Sequence, residues 1–298
     1  MSKVIRCKAD DQTEFVKAMR SIEGKYPLWQ IWQDFIYLTA IMLSNAIDKV
    51  HAAPREEMYL NIIGKYSKKE QEVFPKLIAL VVTALERDKN RDFLGELYMT
   101  MELGNHWKGQ FFTPYDVCVM MARMNGGNAV AELSDKGYIT VNDCACGAGA
   151  LLIAYANTVE IELKDTNYNW QNHILFTAQD VDMVAGLVCY IQLSLIGCAG
   201  YIKIGNTLTD PMSSGEAEAN LHIEKSPYWY TPMYFSDAWR WRRLFRSMDA
   251  MMSRAEETEA KEEEKAEKVE EKKTIAQNEP KVEQTELVIE SNGQLALF

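Results

Sequence analysis

Apolar positions in the first third of the chain recur at helical spacing. Phe15, Met19 and Ile22 lie four and three residues apart, and Trp29, Trp32, Phe35, Ile36 and Leu43 continue a wide apolar stripe. Pro54 interrupts the pattern; Met58, Ile62 and Ile63 open another helix. Leu77, Leu80, Val81, Ala84 and Leu85 mark one face at i, i+3, i+4 and i+7, and Phe93, Leu94, Leu97, Tyr98 and Met101 form a fourth stripe. Such stripes bury against one another, so residues 1–108 are predicted to be a helical N-terminal domain.

After Gly109 the period changes. Residues 138–141 are short, β-branched and aromatic; Gly147 and Gly149 follow, then a helical run from Ala150. A second strand is predicted over 174–177, ending at Gln179 and Asp180, then a helix over about 182–196 and a third strand over 201–204 ending at Asn206. Strand–helix–strand–helix–strand implies a parallel sheet with right-handed crossovers over 109–250. The stretch 251–293 lacks an apolar face and reads as a charged linker or a solvated helix.

Composition narrows the function. The 298 residues carry a net charge of −11. Residues 254–290 concentrate that excess, with thirteen acidic against seven basic side chains. A pervasive polycation for nucleic acid is excluded, whereas a local basic patch is not. The most apolar long stretch, 186–202, contains Gln192 and Ser194 and is broken by Gly197 and Gly200, so no membrane span is expected. The N-terminus lacks the apolar core of a secretory signal. Of six cysteines only Cys144 and Cys146 are close, and no CxxC occurs. Neither a disulfide framework nor a metal site is expected, and reduced, cytoplasmic thiols are.

The strongest local pattern is Asp143-Cys144-Ala145-Cys146-Gly147-Ala148-Gly149, placed between a strand and a helix. Ligands bind at that edge of such sheets, and glycines let backbone amides approach them. The alternative is an ordinary tight turn. Asp180 ends the next strand, where a carboxylate can accept from both ribose hydroxyls or cap the following helix. It stands 31 residues after Gly149, beyond the spacing of about 20 usual for dinucleotide folds, which implies an insertion around 164–173. Asn206 is either an adenine-edge contact or a turn residue. Upstream, in Gly109-Gln110-Phe111-Phe112-Thr113-Pro114, Thr113 is placed to cap a helix with Pro114 at its first position. Val117, Met120, Met121 and Met124 line one face of that helix.

Taken in order, GQFFTP, DCACGAG, AQD and GNTL resemble the N6-adenine DNA methylase family, in particular the modification subunits of type I restriction systems. Asp92-Phe93-Leu94-Gly95-Glu96-Leu97-Tyr98 is similar to that family's DxLGxxY segment. The resemblance implies a Rossmann-like α/β methyltransferase sheet preceded by a helical N-terminal domain, with S-adenosylmethionine as cofactor. Carried over, Phe112, Thr113 and Pro114 enclose the methionine end, Asp143 bonds its amino group, and Cys144, Gly147 and Gly149 form the loop. Asp180 holds the ribose and Asn206 the adenine. Cys144 stands where the family usually has Pro, and Ala148 where it has Thr or Ser.

The family's catalytic loop is Asn/Asp-Pro-Pro-Tyr/Phe, which holds the amine of a flipped base and stacks on its ring. This chain has no Pro-Pro; the nearest candidate is Ser226-Pro227-Tyr228. Trp229, Arg240, Arg242, Arg243 and Arg246 are candidate DNA contacts, or else a packed tryptophan and an amphipathic helix with snorkelling arginines. The implied function is adenine N6 methylation of DNA, acting alone or with a separate DNA-specificity subunit. The alternative is a non-catalytic regulator or decoy that binds cofactor or DNA. The last residues, Gln294, Leu295, Ala296, Leu297 and Phe298, resemble the QLxLF peptide that docks on the bacterial sliding clamp, here expected at the end of an unstructured tail.

Overall fold

The computed structural model describes residues 9–101, 113–249, 251–252, 287–289 and 295–297. Six helices come first: α1 Asp10–Arg20, α2 Leu28–Ile47, α3 Ala52–Ile63, α4 Lys68–Gln71, α5 Val73–Arg87 and α6 Phe93–Thr100. Then follow α7 Tyr115–Gly126, α8 Ala129–Lys136, β1 Ile139–Asp143, α9 Ala150–Leu163, α10 Trp170–His173, β2 Ile174–Asp180, α11 Met183–Ile196, β3 Ala199–Ile204, α12 Ser214–Asn220 and β4 Tyr228–Tyr230. A 3-10 turn, Pro232–Phe235, leads into a helix over 237–249. Helices α1 to α12 and this sheet belong to one compact unit, Met1–Trp241; Arg242–Phe298 forms a second. No helix among the described residues is long and apolar enough to cross a membrane.

The sheet runs β1-β2-β3-β4. β1, β2 and β3 are parallel, with α9 and α11 as their crossovers. The expectation of a wholly parallel sheet is corrected at β4, which pairs antiparallel to β3 with Lys203 opposite Tyr228 and Tyr201 opposite Tyr230. The segment after β3 has room only for the short α12 before it returns along β3's outer edge. Strand periodicity sorts the side chains onto two faces. Ile139, Ile174, Phe176, Ala178, Ile202 and Trp229 join the large core with α9, α11 and the N-terminal helices. Leu175, Ala199, Tyr201, Tyr228 and Tyr230 form a second core with Ala217, Tyr234 and Trp239.

Most of the apolar stripes bury as expected: Phe15, Trp32, Phe35, Leu77, Phe93 and Leu97 are inaccessible. Trp29 and Met58 are exposed instead. α2 is apolar nearly all round, and only part of its circumference meets α3, α5 and α11. Pro54 lies inside the first turn of α3, where its missing N–H costs nothing. The break that sequence placed there falls at Asp48–His51.

Two buried polar clusters tie these helices to the sheet. In the first, Arg55 donates to Asp48 Oδ2 (3.2 Å) and to the Tyr228 carbonyl (2.7 Å), and its guanidinium stacks 3.9 Å from the Trp229 ring centre. His51 lies between Asp48 Oδ2 (2.6 Å) and the Asn220 carbonyl (3.0 Å). Burial pushes the Asp48 pKa up, but the His51 hydrogen bond and the Arg55 charge outweigh it and hold it below the ordinary value.

In the second cluster, Asp92 caps α6 by accepting from Gly95 N (2.9 Å) and from Gln192 Nε2 (2.7 Å). The same Gln192 amide donates to the Ala148 carbonyl (2.9 Å), so α6 braces the glycine loop. A Cβ at Gly95 would collide with the Asp92 carboxyl group. Burial raises the Asp92 pKa from 3.8 to about 6. A pKa raised on folding means that the unfolded chain releases this proton first. Stability from this group is therefore full below pH 4, falls between pH 4 and 6, and stays lower above. Asp92→Asn keeps the acceptor at Oδ1 and removes the buried charge. It is expected to abolish that part of the pH dependence, about 3 kcal/mol at pH 8 relative to pH 4. Urea unfolding of wild type and variant at both pH values checks this; parallel pH dependences would refute it.

The terminal peptide is paired, not free. Leu295–Leu297 forms β6, antiparallel to β5 Leu287–Ile289, with Leu287 opposite Leu297. Gln294 and Phe298 lie outside the described residues, as do Phe112, the rest of GQFFTP before Thr113, and 253–286.

Candidate cofactor site

The first strand begins and ends later than its apolar pattern suggested, at Ile139–Asp143, which puts Asp143 at its carboxyl end. The chain then turns through two residues of positive φ, Gly147 (52°) and Gly149 (87°). Only glycine adopts these angles without strain. At Gly149 a Cβ would also sit 2.7 Å from Cys189 Sγ. Gly149 is itself the N-cap of α9 and offers no side chain to the first-turn amides.

A cavity of about 230 Å³ opens at this turn. Its walls include Asp143, Gly147 and Ala148 from the loop, Ala150 and Leu151 from α9, Thr113 just before α7, and Cys118 and Met121 within α7. Thus the structure brings together Thr113, Asp143 and Gly147 among the residues singled out by sequence. Cys118, Met121 and Leu151 were missed. Met121 belonged to a recognised apolar face, but nothing in its spacing distinguished it from a buried position.

Asp143 is half-buried; burial raises its pKa, its bond from Ala145 N (3.1 Å) opposes this, and the Asp180 charge adds to the rise. Among the described residues no Lys or Arg pairs with it. Asp180, at the end of β2, accepts from Gly147 N at Oδ2 (2.8 Å) and from Asp182 N at Oδ1 (2.8 Å). Each oxygen keeps a further lone pair. The cap of α11 is Asp182, which accepts from Val184 N and Ala185 N, so Asp180 does not cap that helix. Cys144 is exposed, and its carbonyl accepts from Thr207 Oγ1 at 2.6 Å. Cys146 is buried, and its hydrogen bond with Cys189 together with burial raises its pKa well above normal. Burial pushes Cys118 up to about 11. Both thiols stay protonated and supply no thiolate nucleophile.

Thr113 does not cap α7. Pro114 is the N-cap residue, and its carbonyl accepts from Val117 N and Cys118 N. The fixed φ of proline starts the helix one residue later than the capping pattern suggested. Asn206 is exposed and closes a turn, its Oδ1 accepting from Leu208 N (2.9 Å). Gln179, read from sequence only as a strand end, is fully buried and holds the loop after β3 in place. It donates to the Asp210 carbonyl (2.8 Å) and accepts from Met212 N (3.0 Å).

The proposed catalytic loop is not brought to this cavity. Ser226 and Pro227 lie beyond β3, where the Pro227 carbonyl accepts from Ile204 N (3.0 Å), with β2 and β3 between them and β1. Tyr228 is 0% exposed, packed on Tyr201 and Tyr230 in the second core. Its ring is therefore unable to stack on a base. Trp229 is likewise buried between Arg55 and Tyr190, so the packing reading holds for it. Arg240 is exposed and pairs with Asp237 (3.3 Å). Arg242, Arg243 and Arg246 each have an interaction within the structure.

Neither the curated proteins nor the solved structures gave a match to this chain. A family model did: N-6 DNA Methylase, over residues 89–270, which takes in α6, with its Asp92 cap, and the whole glycine-loop sheet. That span is more than half of the chain, and the chain belongs to the N-6 DNA methylase family.

Proposed function

We propose that this DNA methyltransferase-like protein binds S-adenosylmethionine at the carboxyl edge of β1 and serves methyl transfer to adenine N6 in DNA. The observation that carries the reading is the cavity between the glycine loop and α7. Its donor set suits the amino-acid end of that cofactor. A half-buried Asp143, without a cationic partner among the described residues, favours a cationic ammonium, and the uncapped first turn of α9 favours a carboxylate. The cavity is below the roughly 300 Å³ of a complete ligand pocket, so it suits one end of the molecule. Asp180 and Asn206, on the neighbouring strand ends, are assigned to the ribose and the adenine. When bound, S-adenosylmethionine supplies an electrophilic methyl group on a sulfonium. The chain's own part is to orient it, with no covalent intermediate on Cys118 or Cys146.

DNA contacts are assigned to Arg240, Arg242, Arg243 and Arg246, and the recognition sequence to a separate specificity subunit. A non-catalytic role is the second reading, favoured by the burial of Tyr228 and Trp229. Adenine methylation profiling of DNA from cells with and without the gene separates the two. New N6-methyl sites support the enzyme, and an unchanged profile supports the regulator. The tail is proposed to dock on the sliding clamp, with Leu295, Leu297 and Phe298 as apolar anchors. The variant Leu297→Ala with Phe298→Ala is expected to lose clamp in a pull-down that retains it with the wild type. Equal retention would remove this partner.

A further inference from the structure

We propose that the outer edge of β1 and the methionine face of α7 dock a separate, basic polypeptide, which adds a strand parallel to β1 and supplies the base-binding wall of the cofactor cavity. The proposal rests on the methyl-transfer reading above. In doubly wound sheets with the order 3-2-1-4-5-6, ligands bind beside the first strand, where the order reverses and a further strand lies on its other side. This sheet has the 3-2-1 part, but the chain's next strand goes to the far side of β3. Its cavity therefore stands at the sheet's margin, with β1 as the edge strand.

β1 shows the mark of an uncovered strand. β2 and β3 are buried along almost their whole length, as parallel strands normally are. In β1 Thr140 and Asn142 are exposed, and Val141 and Asp143 are only half-buried. Natural edges carry Lys, Pro or a bulge that discourages pairing. Ile139, Thr140, Val141 and Asn142 include no Lys or Pro, and two of them, Ile139 and Val141, are aliphatic β-formers. Among the described residues no strand pairs with the outer side.

α7 extends the same margin. Cys118 and Ala122 pack against Ala150 and Ala154 of α9. Val117, Met120, Met121 and Met124 point away from that contact and are 41%, 57%, 38% and 78% exposed. Met121 also lines the cavity, so the apolar face runs up to the cofactor site. Contiguous exposed apolar surface of this kind marks an interaction site, and methionines adapt to the surface they meet.

The chemistry of the cavity identifies the occupant. Holding a flipped base needs hydrogen-bond partners for its edge and an aromatic ring to stack on it. The described residues that line the cavity include no aromatic side chain. A second copy of this chain would bring the same buried Tyr228 and Trp229. The proposed wall belongs to a different chain, through a loop that carries an acceptor and an aromatic ring. Its strand runs parallel to β1, because only then does the following loop emerge beside Asp143. The net charge of −11 is complemented by a basic partner, which adds cationic surface for DNA to the arginines assigned above.

The test places a photoreactive benzoylphenylalanine at Thr140 or at Met124 of the full-length protein in its own host. The adduct is identified by mass spectrometry. The expected adduct is a basic polypeptide with a strand followed by an acceptor–aromatic loop. Mixing it, purified, with this chain is expected to raise methyl transfer to DNA by a factor of about 10² or more over either alone, the scale of restoring a positioning group. Met120→Glu with Met124→Glu, both at exposed positions, is expected to abolish that gain while calorimetric binding of S-adenosylmethionine is unchanged. Full activity of this chain alone overturns the proposal. So does an adduct only to its own residues 253–298, to a second copy or to a chain without such a loop, and so does no adduct at either position. Loss of cofactor binding by the wild type is a separate outcome, and it refutes the functional reading instead.

Discussion

Arg55→Ala is expected to destabilise the protein by about 3–5 kcal/mol, the usual cost of removing one partner from a buried charge pair. Four contacts disappear together, the first being the hydrogen bond to Ser44 Oγ. Asp48 keeps only His51 to oppose its burial, the Tyr228 carbonyl loses its donor, and the Trp229 ring loses the guanidinium stacked on it. At about 2–4 °C per kcal/mol for a unit of this size, thermal unfolding falls by roughly 10 °C. Arg55→Lys is expected to recover little, because an ammonium cannot reach Asp48 and the Tyr228 carbonyl while lying flat on Trp229. A loss below about 1 kcal/mol, the level of an exposed pair, would show that this cluster does not join α2 and α3 to β4. With Arg55 gone, the pH dependence also shrinks. The depressed Asp48 pKa contributes stability that is present above the unfolded pKa and lost as the pH falls through the folded one.

Asp180→Ala is expected to weaken S-adenosylmethionine binding by about 100-fold, since charge-assisted hydrogen bonds contribute about 1.5–3 kcal/mol each. Two effects combine. The ribose loses its acceptor, and the glycine loop loses the carboxylate that fixes Gly147 N. Asp180→Asn separates them, because Asn retains one acceptor oxygen and makes the side chain neutral. Asn is expected to fall between wild type and Ala in calorimetric affinity, with thermal stability close to wild type. If Ala leaves affinity unchanged and lowers only stability, Asp180 is an anchor of the loop and has no role toward the ribose.

The parts of this molecule that repeat a period were legible in the sequence. The buried faces of α1, α5 and α6 follow from spacing alone, because one stripe faces one core. The three parallel strands and their crossovers follow from β-branched runs ending in Gly or Asp. Asp143, Gly147 and Gly149 were visible because positive φ and strand ends leave a chemical signature. What was hidden depends on contacts between distant segments. Tyr228 and Trp229 sit in an aromatic dipeptide that reads as a stacking platform, yet strand alternation buries one on each face of the sheet. Gln179 and Gln192 are polar residues whose partners lie 31 to 100 residues away, and Arg55 reaches the Tyr228 carbonyl 173 residues on. Thr113-Pro114 carried a capping pattern, but the cap geometry belongs to Pro114.

The central claim is that the loop from Asp143 to Gly149 is a cofactor site, and calorimetric titration of the full-length protein with S-adenosylmethionine tests it most directly. The account predicts one site of micromolar affinity per chain, weakened by Asp180→Ala and unaffected by Met120→Glu with Met124→Glu. Absence of binding by the folded wild-type protein at millimolar cofactor would contradict it.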